Sequence, residues 1–155
     1  MRAHVFKVIF AWLFMSSFFG AMAADQQAAS KDEAVAMVKK AVGYIRQNGK
    51  DKALAEFSRP KGQFVDRDLY IAALDLNGLM LAHGANPRLI GKNLLDIKDV
   101  NGKAFVREQI AMAKTKGSGW VEFEWVNPVS QKIEPRATYL ERIDDYFVLS
   151  GVYKN

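Results

Sequence analysis

The chain has 155 residues, half of them hydrophobic, which is enough for one domain with a proper core and too little for two. Its 22 basic residues stand against 17 acidic ones and are scattered among them, so the formal charge of +5 forms no stripe, and a nucleic-acid partner is excluded. Without cysteine there is neither a disulfide framework nor a thiol for a lipid anchor.

Arg2 and Lys7 lead into an uncharged run from Val8 to Ala24, and Ala21-Met22-Ala23 has the small-x-small shape of a cleavage site. Residues 1–23 are therefore predicted to be a signal peptide, and the mature protein to begin near Ala24 and work in the periplasm or outside the cell. The rival reading is an uncleaved anchor, because the run is only just long enough to cross a bilayer. Losing Arg2 and Lys7 takes the bases from 22 to 20 and the charge from +5 to +3.

Residues 24–31 read as a linker, and residues 32–155 as one domain. Ser30-Lys31-Asp32-Glu33 has capping-box spacing, and Val35, Val38, Val42 and Ile45 form one helical stripe ending at Asn48-Gly49. A shorter helix is predicted from Asp51 to Ser58. Five strands follow, at Leu69–Leu76, Leu79–His83, Trp120–Val126, Pro135–Ile143 and Tyr146–Tyr153, with a long interval between the second and third that holds a helix from Lys103 to Lys116. Such an insertion is where a binding lid sits. Helices before and within an antiparallel meander make the fold α+β.

Asn77-Gly78 reads as a two-residue hairpin, which pairs Leu76 with Leu79, Leu74 with Leu81 and Ala72 with His83. His83 then shares a face with Leu74 and Leu81, opposite a small residue and diagonal to Tyr70. It serves either as a core histidine bonded to a nearby carbonyl or as a ligand contact. Val121, Phe123 and Trp125 alternate with Trp120, Glu122 and Glu124, placing the first set inward, with Trp125 able to wall a pocket. Arg136, Lys92 and Arg107 are the candidate cations, Arg136 foremost because a guanidinium grips a carboxylate through two bonds. Pairing across Asp144-Asp145 puts Arg136 beside Tyr153 and turns Tyr139 to the opposite face. The acidic turns at Asp75 and Asp99 lack the later ligands of a calcium loop, and no nucleophile motif or phosphate-cradling loop is present, so neither a metal nor a cofactor is expected.

In order, Asp68-Leu69-Tyr70, Asp75-Leu76-Asn77-Gly78, Leu81-Ala82-His83, Leu89-Ile90-Gly91-Lys92-Asn93-Leu94, Gly102-Lys103-Ala104-Phe105-Val106-Arg107-Glu108, Gly119-Trp120-Val121-Glu122-Phe123-Glu124-Trp125 and Gly151-Val152-Tyr153 resemble the single Cache domain of bacterial extracytoplasmic sensors. That resemblance implies a PAS-like five-stranded antiparallel sheet with the long first helix on one face, the lid and its helix over the other, and a small-molecule pocket beneath the lid. It implies a ligand such as a short carboxylate, held by Tyr70, His83, Trp125, Arg136 and Tyr139. Gly84 stands where the family commonly has proline, Arg136 where it often has lysine, and Ala72 and Ala73 where it has bulkier residues. The chain stops two residues after Tyr153, so a free-standing sensor is expected, with no output module and with a membrane receptor or transporter component as partner. Two other classes use the same pocket differently: a small enzyme with His83 as general base, and an accessory subunit in which the pocket is vestigial.

Overall fold

The computed structural model describes residues 28–154. The predicted signal peptide and the first part of the linker lie outside the described residues. Helix α1 (Lys31–Asn48) starts on the expected capping box: the Ser30 hydroxyl accepts from Glu33 N at 3.2 Å, and Ser30 N donates to the Glu33 carboxylate at 2.7 Å. It ends where Gly49 takes φ 81°. Ala34, Val38, Ala41, Val42 and Ile45 are its buried stripe, while Val35 is half-buried. Helix α2 (Lys50–Phe57) continues from the same glycine.

The predicted first strand breaks at Ile71. Its start, β2 (Leu69–Tyr70), pairs with a short β1 (Val65–Asp66) that the sequence reading did not predict, and only β3 (Ala72–Asp75) enters the main sheet. With β4 (Met80–His83), β5 (Ser118–Val126), β6 (Ile133–Ile143) and β7 (Tyr146–Tyr153), the sheet has five antiparallel strands in the order β4-β3-β7-β6-β5. Between β4 and β5 come a 3-10 turn at Pro87–Leu89 and helix α3 (Phe105–Thr115).

Strand alternation sorts the core into two layers. Ala73, Ala82, Tyr146 and Val148 pack with Val38, Ile45 and Phe57 of the first two helices. Ala72, Leu74, Met80, Phe147 and Leu149 face the other way, against Phe105, Val106 and Ile110 of α3. Long helix, sheet and lid helix thus stack in the expected order.

The β3–β4 hairpin departs from the two-residue expectation in two places that offset each other. Gly78 N donates to Asp75 O and Asp75 N to Leu79 O, with Gly78 at φ 88°, so the loop holds three residues and a glycine bulge. Leu74 consequently pairs with Met80, not Leu81. A second irregularity then restores the register, so Ala73 meets Ala82 and Ala72 meets His83. Leu81 packs on the α1 side with Ala82, which corrects its predicted place beside His83.

Both outer strands are covered along part of their length. On β4, Met80 N donates to Lys92 O at 3.0 Å and Gly91 N to Met80 O at 2.9 Å. On β5, Glu124 N donates to an Asp99 carboxylate oxygen at 3.0 Å, and the Lys103 ammonium donates to Glu122 O. Among the described residues no helix is long and apolar enough to cross a membrane.

Candidate ligand-binding site

Between the sheet and α3 lies a narrow cavity of about 30 Å3, lined by Ala72, His83, Gln109, Phe123, Trp125 and Arg136 among apolar neighbours. Each polar side chain arrives there by strand or helix parity. Arg136 and Thr138 alternate with Ala137 and Tyr139 on β6, and Arg136 pairs with Tyr153 as the hairpin count predicted.

Arg136 is 3% exposed, and its charge meets no carboxylate in an ion pair among the described residues. Its guanidinium lies 4.3 Å from the Tyr70 ring centre and 5.1 Å from that of Tyr153. Nη1 donates to the Tyr70 hydroxyl. The Tyr153 hydroxyl donates to Val126 O at 2.8 Å, so at the 3.4 Å contact between the two phenols Tyr70 is the donor. Burial, with the Tyr70 phenol and Asp68 adding to it, pushes the Tyr153 hydroxyl well above the usual phenol range against the pull of Arg136, so it stays a donor. Nε and Nη2 of Arg136 are buried without a partner. Two such donors on a buried cation are costly to leave unfilled, and an anion supplies what they lack.

His83, 4% exposed, packs its ring 4.8 Å from that of Tyr70. Its Nδ1 accepts from Ala85 N at 3.2 Å and Asn86 N at 2.9 Å, which pins the start of the lid and makes the neutral ring an Nε2–H donor by hydrogen-bond assignment. Burial first, and then the Arg136 charge, hold its pKa down to about 3. A ring so poorly basic, with one nitrogen already occupied by two amides, is badly suited to general-base work. His83 thus fastens the start of the lid through two backbone amides, where the sequence reading's core alternative gave it a carbonyl partner, and its ring also lines the cavity.

Trp125 sits half-buried against Phe105 and Phe123, whose rings stack 4.0 Å apart. Phe123 and Arg136 also line a more open recess of about 200 Å3 beside Lys103, Glu122 and Lys154. Tyr70 stands behind Arg136, supporting the cation. Tyr139 is not brought to the cavity: it lies on the α1 face, packs 5.5 Å from the Trp120 ring and donates to Glu141 at 2.9 Å. Lys92 is exposed, and Arg107 pairs with Asp96 outside the cavity.

Sequence reasoning missed Gln109 and Thr138. Gln109 is 1% exposed, and its Nε2 donates to Thr138 Oγ1 at 3.4 Å. A signal existed, since Gln109 falls within the helical stripe of Phe105, Val106, Ile110 and Ala113. Among the described residues no cluster of acidic and histidine side chains could hold a metal.

The family pattern described as Single Cache domain 2 matches residues 16–155. The methyl-accepting chemotaxis protein McpP of Pseudomonas putida is 31% identical over 90 residues, 57% of this chain and 16% of that protein, so the chain spans about a sixth of that relative's length. A methyl-accepting chemotaxis protein from Vibrio parahaemolyticus has a similar crystal structure, with 27% identity, a TM-score of 0.68, and coverage of 79% of this chain and 87% of that one. A second structure, titled for carboxylic acid recognition by a Cache chemosensory domain, has 26% identity and a TM-score of 0.64 over 80% of this chain and 88% of that one.

Proposed function

Because the chain belongs to the single Cache domain 2 family, we propose that it is a periplasmic sensing domain whose cavity holds a short monocarboxylate against Arg136. The observation that carries this reading is the buried guanidinium with two unpartnered donors. His83 Nε2–H adds a third donor, and Trp125 and Phe123 wall the carbon chain. Size limits the acid, because about 30 Å3 exceeds the ~10–15 Å3 that one water needs only by a small factor. No second cation lines the inner cavity, so a second carboxylate would go unpaired there. The solved relative whose title names carboxylic acid recognition supports the same ligand class.

Thermal-shift screening tests this. Unbranched acids of one to four carbons are expected to raise the melting temperature, with stabilisation of about 2.7 kcal/mol at a hundred times the dissociation constant. Dicarboxylates and amines are expected to leave it unchanged. Stabilisation by dicarboxylates alone would replace this ligand class with another.

We take the domain to be exported and freed by cleavage near Ala24, and to report its ligand to a membrane receptor or transporter component. Intact-mass measurement of the periplasmic fraction checks the processing: a mass that retains residues 1–23 would replace the freed domain with a tethered one.

A further inference from the structure

We propose that Gln109 makes the cavity selective for 2-hydroxy monocarboxylates over their 2-oxo and unsubstituted analogues, an inference that rests on the anion reading above. The argument is one of proton direction. Thr138 Oγ1 donates its one proton to Val121 O at 3.2 Å. Its oxygen can then only accept, and it does so from Gln109 Nε2 at 3.4 Å. The amide nitrogen is thereby turned toward β6, and Oε1 is the atom of Gln109 left without a partner among the described residues.

Gln109 lines the cavity with Arg136 and His83. The unfilled groups of those two are donors: Nε and Nη2 of Arg136 and Nε2–H of His83. Oε1 is thus a lone acceptor in a set of donors. A carboxylate satisfies the donors and cannot satisfy Oε1. A 2-oxo group brings a further acceptor against it, whereas a 2-hydroxyl brings the proton it lacks. The positions suit one small molecule, because Thr138 lies two residues beyond Arg136 on the same strand face, about 7 Å along the strand. Arg136 and Gln109 line the same small cavity, so a carboxylate and its adjacent hydroxyl are the pairing of groups that meets both.

Calorimetric titration of the wild type, Gln109→Leu and Gln109→Met with 2-hydroxypropanoate, 2-oxopropanoate and propanoate tests the proposal. In the wild type the hydroxy acid is expected to bind about tenfold tighter than the other two, the scale of one buried polar group left unpaired. Both substitutions are expected to weaken the hydroxy acid about tenfold and to leave propanoate within about twofold. The methionine variant keeps side-chain length should leucine disturb α3. A 2-oxo acid bound as tightly as the hydroxy acid, or equal losses for all three ligands, overturns the role of Gln109 while the anion site stands. No binding of any acid to the wild type removes the anion reading, and this inference with it.

Discussion

Replacing Arg136 with methionine is expected to raise the melting temperature of the ligand-free protein while abolishing carboxylate binding. The two effects have one cause. A buried ion forfeits several kcal/mol of hydration, and here the return is a bond to the Tyr70 hydroxyl and two ring contacts, with Nε and Nη2 unfilled. Cation–π contacts return about 0.5–2 kcal/mol each, and unfilled donors cost about 1–3 kcal/mol. Methionine is long and adaptable enough to occupy the space beside Phe123. Tyr70 can still donate to Tyr153, and Tyr153 to Val126 O, so no new orphan is made. A net gain of about 1–2 kcal/mol would raise Tm by roughly 5 °C, while the loss of a charge-assisted fork should weaken binding at least about a hundredfold. Calorimetry on the free protein and titration with propanoate read both quantities. A fall in Tm would make Arg136 a structural cation and remove the main support for an anion site.

The second large effect is on stability against pH. His83 has an ordinary pKa of 6.5 when unfolded and about 3 when folded. A group depressed by folding contributes its full stability above the unfolded value and loses it as pH falls toward the folded one. The window therefore opens near pH 6.5 and closes near pH 3. Between pH 7 and pH 5 the ligand-free domain is expected to lose about 2 kcal/mol through this residue. His83→Gln, which cannot titrate, should flatten that part of the curve, so wild type and variant diverge at pH 7 and converge toward pH 5. Parallel denaturation curves across the range would show that His83 is solvated enough to protonate in place. Since the ring stays neutral from pH 5 to 8, carboxylate affinity is expected to be level there.

Much of this was legible because period-2 and period-3.6 patterns report burial directly. The α1 stripe, the inward set of β5 and the pairing of Arg136 with Tyr153 follow from counting alone. The pairing of Ala72 with His83 was also read correctly, but partly by cancellation, since a longer turn and a compensating irregularity restore the register of an ideal hairpin. Counting could not see the middle of that hairpin, so Leu81 was misplaced. Family position suggested Tyr139, although strand parity already turned it away from Arg136, and parity prevailed. Gln109 was missed because polar residues in a helix are assumed to face water. Tyr70's role behind the cation depends on the break at Ile71, which no periodicity announces.

The segment that roofs the cavity has a second consequence, for how copies of this protein meet. An open strand edge is a ladder to which any extended chain can add, the first step of fibre growth. Here Asp99 and Lys103 hold the middle of β5, and the backbone of Gly91 and Lys92 holds β4. A strand arriving from another molecule would have to evict them first. Roof and guard are one stretch of chain, so a change that frees it unseals the cavity and the edges of the sheet together.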